Sequence, residues 1–213
     1  MRVENYKKMV ELQHEFNQQV DKQYLDRNWN WNSAIIAESG ELLESAGYKW
    51  WRKSEVDMDN VKVEAIDLLH FVISESIQIY YRGHKDSIEC TYSDFQEFFE
   101  EFDTYDNFDV DSIFDIINHL NYDQFDRFFI MKQLFKHLDM SNEDVYLSYM
   151  VKNCLNRFRQ DNGYKDGSYH KIWNNQEDNV VAYELAANIG AVENLYELLY
   201  DDLKVTYSFY FKA

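Results

Sequence analysis

Apolar positions recur at helical spacing through most of the chain. From Asn5 to about Tyr24, the residues Met9, Phe16, Val20 and Tyr24 fall on one stripe, and the amides Gln13 and Asn17 interrupt it. Asn32 and Ser33 offer an N-cap for a second helix over 34–46, which Gly47 is placed to close. The aromatic and basic link Tyr48-Lys49-Trp50-Trp51-Arg52-Lys53 follows. Val61, Ala65, Leu68 and Val72 then mark a third helix over 60–82, stopped by Gly83. Ser141-Asn142-Glu143-Asp144 reads as a capping box opening a helix to about Gln160, which Asp161-Asn162-Gly163 ends. A polar loop over 164–178 leads to a last helix over 179–203, and the tail 205–211 alternates like a strand. Six glycines and no proline leave few of the punctuators that β-rich folds need. The prediction is an all-α helical bundle forming a single domain over 1–213.

Composition changes this picture in one place. Between Asp86 and Asp144 the only bases are Arg127, Lys132 and Lys136, against sixteen acidic residues. Phe95, Phe98, Phe99, Phe102, Phe108, Phe114, Phe125, Phe128, Phe129 and Phe135 crowd the same stretch. Residues 84–140 are therefore read as an acidic helical insertion of two or three short amphipathic helices. Such a segment also suits a protein partner, the reading of the chain as a regulatory binding module. The net charge of -18 repels a phosphate backbone and disfavours bulk nucleic-acid binding. No apolar run reaches the ~20 residues of a membrane span, and the N-terminal residues lack a signal-peptide core. Cys90 and Cys154 make no disulfide framework, so a cytoplasmic location is expected.

Carboxylates interrupt the apolar pattern most informatively on the second and third helices. Glu38 and Glu41 are three apart, as are Glu64 and Asp67, so each pair occupies one helical face. The 22 residues between the pairs (42–63) are enough for the chain to turn and return antiparallel. Glu-x-x-Glu on a helix is usually a solvated face, but here Ala34, Ile35, Ile36, Leu42 and Leu43 surround one pair and Ala65, Ile66, Leu68 and Leu69 the other. Two like charges ~5 Å apart repel by roughly 3 kcal/mol at an effective dielectric of 20, so four converging carboxylates call for a cation. Oxygen-only ligation suits Mg²⁺ shared with substrate phosphates. Further on, 152–171 is the clearest net-positive stretch of an acidic chain. Lys152, Asn156 and Arg159 share a helical face there, and Lys165 lies between Gly163 and Gly167 in a loop able to close over an anion.

These motifs resemble a known family. Glu38-x-x-Glu41 followed by Glu64-x-x-Asp67 is similar to the signature of the all-α nucleoside triphosphate pyrophosphohydrolases, although Ala37 stands where a further glutamate is usual. The segment 37–45 with Trp50-Trp51 and Asp67-Leu68-Leu69-His70-Phe71 resembles the dimeric dUTPase branch. So, more specifically, does the run 156–169 ending in Glu177-Asp178-Asn179. The resemblance implies a homodimer hydrolysing dUTP, and dUDP, to dUMP. Two or more Mg²⁺ ions per site would be held by Glu38, Glu41, Glu64 and Asp67, with Glu38 activating the water. It further implies that Gln13 and Asn17 read uracil, that Trp50 and Phe71 wall the base and sugar, and that His70 meets a hydroxyl. Lys152, Asn156, Arg159, Lys165 and Asn179 would hold the phosphates. A dCTPase or a broader nucleotide pyrophosphohydrolase is the alternative within the superfamily.

Overall fold

The first helix, α1 (Val3–Val20), forms over the amide-interrupted stripe but ends short of Tyr24. The Asp21 side chain accepts from the Gln23 amide at 2.9 Å, and a short 3₁₀ turn over Tyr24–Asp26 replaces the last helical turn. This computed structural model describes residues 3–53, 55–100, 112–122 and 127–211. Helix α2 (Trp31–Ser45) starts earlier than its sequence signal because Asn30 is the cap, accepting from the Ser33 amide at 3.1 Å. Helix α3 (Met58–Arg82) is capped by Asp57, which accepts from the Asn60 amide at 3.0 Å.

The acidic segment contributes α4 (Ser87–Glu100), α5 (Ile113–Tyr122) and α6 (Arg127–His137). Five of its described phenylalanines point inward. Phe95, Phe99, Phe128, Phe129 and Phe135 are buried in the core that also holds Tyr6, Met9, Ile66 and Ile73. Phe95 meets Tyr6 edge-on at 5.0 Å between ring centroids and stacks on Phe128 at 4.9 Å. Phe114 is exposed, while Phe102, Phe108, Phe125 and the Phe98 side chain lie outside the described residues. Buried Arg127 at the head of α6 ties α3 to α2, pairing with Glu75 and donating to Asn32. Phe95→Ala should accordingly cost about 3–5 kcal/mol of unfolding free energy, measured by urea denaturation. A loss under about 1 kcal/mol would mean that α4 merely rests on the bundle.

Helix α7 (Asn142–Asp161) opens with the capping box expected from its sequence, Ser141 and Asp144 bonding each other's backbone amides reciprocally. Its first half enters the core just described through Val145 and Tyr149. Its second half, through Cys154, Leu155 and Phe158, builds an adjoining core with Trp173, Leu199 and Tyr207. After a turn at Gly163 (φ 92°) a minimal hairpin, β1 (Ile172–Trp173) and β2 (Gln176–Glu177), pairs Ile172 with Glu177 around Asn174 and Asn175, both at positive φ.

Two expectations are corrected at the C-terminus. The single last helix is two, α8 (Asp178–Ile189) and α9 (Leu195–Phe211), broken at Gly190, whose φ of 79° only glycine adopts without strain. The strand-like tail is helical as far as Phe211. Leu195, Leu199, Leu203 and Tyr207 form a four-residue ladder into the second core, and Tyr207 stacks on Tyr169 at 5.2 Å. That burial outweighs the alternation of Val205, Tyr207, Phe209 and Phe211. Apart from the β1–β2 hairpin, the regular secondary structure of the described residues is helical, so the fold is all-α as predicted.

Candidate active site

The twelve-residue link between α2 and α3 is tied at its two ends. The Asp57 amide donates to the Ser45 carbonyl at 2.9 Å, and the Asn60 side chain donates to Ser45 Oγ at 2.7 Å. The end of α2 therefore lies beside the start of α3, which brings their carboxylates together. One oxygen from each of Glu38, Glu41 and Glu64 lies within 4.8 Å of the other two. Burial, then the charges of Asp67, Glu41 and Glu64, push the Glu38 carboxyl up to about 8. Burial, then Asp67 and Glu41, push Glu64 up to about 7, against the opposing pull of Lys152 and Asn60. Asp67 sits one turn further along α3 with its carboxylate paired to Lys152 Nζ at 2.9 Å.

The basic side chains of α7 are held just as firmly. Lys152 Nζ also donates to Asn179 Oδ1 at 2.9 Å. Arg159 clamps Asp178 with two parallel bonds, 2.8 and 2.7 Å, and reaches Asn156 Oδ1 at 3.1 Å and Asn179 Oδ1 at 3.3 Å. Asp178, at the head of α8, is buried and takes a further bond from the Tyr169 hydroxyl at 2.8 Å. Both cations are thus matched by carboxylates before any ligand arrives.

Gln13 and Asn17 are buried on α1 and meet at 3.1 Å. His70 is buried behind them, its ring stacked on Tyr149 at 4.1 Å, and burial lowers it to about 4. His70 Nδ1 lies 2.8 Å from the Ile66 carbonyl, which can only accept, so the ring is neutral and Nε2 is a bare acceptor. Gln13, Asn17, Glu38, Asp67, His70, Phe71, Lys152, Asn156 and Arg159 all line one cleft of about 220 Å³, with Phe16, Gln160 and Tyr164 completing its walls.

Five expected positions do not line this cleft: Glu41 and Glu64 lie in the carboxylate cluster beside Glu38, and three others stand apart. Trp50 is 88% exposed in the α2–α3 link and does not line the cleft. Lys165 Nζ donates to the Val20 carbonyl at 2.7 Å, drawn to the negative C-terminal end of α1 rather than to the cleft. Asn179 adjoins the cleft through Lys152 and Arg159. Conversely, Ser74, Tyr149 and Asp178 touch the site residues without having been assigned a role from the sequence, although Asp178 stands in the Glu177-Asp178-Asn179 motif. Asp178 alone left a signal, since a buried arginine needs a carboxylate. A larger groove of about 770 Å³ runs along α3, α7 and α8, but Asp57, Asp59, Asp139, Asp144 and Glu184 make its lining unsuited to a polyphosphate.

A family model described as dUTPase matches residues 5–164, three quarters of the chain. The chain belongs to the dUTPase family. The match takes in both carboxylate helices, the α1 amides and the basic face of α7. As a member of this family the chain is a dUTP diphosphatase. No curated protein matches it. Among the described residues no helix is long and apolar enough to cross a membrane.

Proposed function

We propose that this dUTPase hydrolyses dUTP, and dUDP as well, with Mg²⁺ at Glu38, Glu41 and Glu64, two or more ions per site, Asp67 standing at the margin. One observation carries the metal dependence. Lys152 and Arg159 are ion-paired to Asp67 and Asp178, so among the described residues the three clustered glutamates have no ion-pair partner of their own and only the pull of Lys152 from a distance. A polyphosphate would meet net negative charge there. The donors are all oxygen, as a hard divalent ion prefers, and the raised Glu38 and Glu64 carboxyls register the repulsion that such an ion relieves. When bound, the ions neutralise phosphate charge and acidify water.

The chain's own groups do the rest. Glu38, which faces the cleft, orients the attacking water and takes its proton on a carboxylate oxygen. Lys152 and Arg159 are held in fixed orientations by Asp67 and Asp178. Among the described contacts this leaves one ammonium hydrogen of Lys152 and one Nη1 hydrogen of Arg159 for the phosphate tail, with Asn156 and Asn179 setting the geometry. Phe71 walls the sugar, His70 Nε2 accepts from its hydroxyl, and Gln13 and Asn17 read uracil. The enzyme is a cytoplasmic homodimer in this reading, supported by its two free cysteines and by the exposed Trp50, Trp51, Val56 and Met58 beside the site.

A nucleotide panel tests it: dUTP, dUDP, dCTP, dTTP, dATP and dGTP, each with Mg²⁺ and with chelator. The expected result is turnover of dUTP and dUDP alone, lost completely on chelation. Undiminished dUTP hydrolysis in chelator would remove the metal from the reading.

A further inference from the structure

Ser74 lies 0% exposed on α3, one turn beyond His70, and its hydroxyl sits at the centre of the amide pair. Ser74 Oγ donates to the His70 carbonyl at 2.8 Å, the usual helical back-bond of a buried serine. A hydroxyl has one hydrogen, so toward the amides Ser74 can only accept. It does so twice, from Gln13 Nε2 at 2.9 Å and from Asn17 Nδ2 at 3.0 Å. Gln13 Nε2 uses its other hydrogen on Asn17 Oδ1, at 3.1 Å. On the far side the single hydrogen of the Tyr149 hydroxyl is shared between Gln13 Oε1 at 2.9 Å and the Met9 carbonyl at 3.1 Å. Rotating either amide by half a turn would set its oxygen against the Ser74 lone pairs. Rotating Asn17 would also bring two NH₂ groups face to face. Each arrangement loses a buried hydrogen bond and adds a like-pole contact.

We infer that Ser74, backed by Tyr149, is a positioning residue that locks the orientation of the Gln13–Asn17 amides and thereby fixes the choice of uracil over cytosine. This rests on the reading that the two amides face the base. Once Gln13 and Ser74 are served, Asn17 still offers a lone pair of Oδ1 beside a hydrogen of Nδ2. Uracil presents N3–H flanked by carbonyl oxygens, which answers that order of acceptor and donor. Cytosine has a bare N3 beside an amino group, the reverse order at the same two positions. A freely turning amide can serve either base. A locked one serves uracil only, provided that the sugar and phosphates hold the base in register. Neither Ser74 nor Tyr149 needs to touch the nucleotide.

The test compares kcat/KM for dUTP and dCTP in Ser74→Ala, Tyr149→Phe and Asn17→Leu. Alanine suits the helix and removes a single buried oxygen. Phenylalanine keeps the ring stacked on His70. In Ser74→Ala the dUTP-to-dCTP ratio should fall about tenfold, mainly through KM, with dCTP turnover rising in absolute terms. Tyr149→Phe should move the ratio the same way by less. A residue that only supports the fold would lower both substrates together, so the rise with dCTP is the decisive reading. If Asn17→Leu erodes the ratio while Ser74→Ala and Tyr149→Phe keep it, the lock is wrong and the base reading stands. If Asn17→Leu leaves the ratio untouched, the base reading fails and the lock falls with it.

Discussion

Glu64→Gln should abolish dUTP hydrolysis and at the same time raise the melting temperature of the metal-free enzyme. Glu64 is only 8% exposed and shares its space with Glu38 and Glu41, so its ionised form is costly when no cation is present. Glutamine keeps the volume and the hydrogen-bonding reach toward Asn60 but removes the charge. The sign of the pH dependence follows from the raised carboxyls. Glu38 at about 8 and Glu64 at about 7 stand above the 4.5 of an unfolded chain, so the folded, metal-free protein holds protons that the unfolded one has released. The stability these groups contribute is complete below about pH 5 and is lost as the pH rises toward 8. The advantage of Glu64→Gln should therefore be largest at pH 8 and vanish near the acid end, read by thermal melts in chelator at both. Asp67→Asn should behave oppositely. It strands Lys152, 3% exposed, without the carboxylate it pairs with, and lowers stability at neutral pH. Full activity in Glu64→Gln would take that carboxylate out of the catalytic centre.

Arg159→Ala should cost about 3–5 kcal/mol of folding stability in addition to its effect on phosphate binding. Asp178 is 1% exposed and would be left with the Tyr169 hydroxyl as its one remaining side-chain donor among the described contacts. The double variant Arg159→Ala with Asp178→Asn removes the stranded charge. It should recover much of the stability while leaving kcat/KM for dUTP depressed. Chemical denaturation of the three variants beside steady-state kinetics separates the two effects. If Arg159→Ala melts like the parent, the Arg159–Asp178 pair carries no structural weight.

Much of this was legible in the chain, for identifiable reasons. The helices bearing Gln13, Glu38 and Glu64 show strong periodicity and local caps, and the capping box at Ser141 is a four-residue signal needing no tertiary information. Carboxylates amid alanine, isoleucine and leucine announced a cluster, and three of the four converge. What escaped depends on contacts distant in sequence. Lys165 and Trp50 carry the right chemistry in motifs of the right type, yet a carbonyl at the end of α1 holds one and solvent the other. Ser74 is an ordinary helical serine until α1 packs against it, 57 to 61 residues away in sequence. The tail's alternation of apolar residues fits strand and helix alike, and only the aromatic cluster around Trp173 decides between them.

The second core gives the boundary of the family match an unexpected meaning. The match ends at residue 164, yet Asp178 and Asn179, which hold Arg159 and Lys152 in place, come afterwards on α8. A fragment trimmed to the matched residues would keep Glu38, Glu41 and Glu64 together with Gln13 and Asn17. It would nonetheless expose Cys154, Leu155 and Phe158 to water, release Arg159 from Asp178 and leave Lys152 with Asp67 but without Asn179. Two adjacent residues at the head of α8 thereby fasten the segment beyond residue 164 to the basic face of α7.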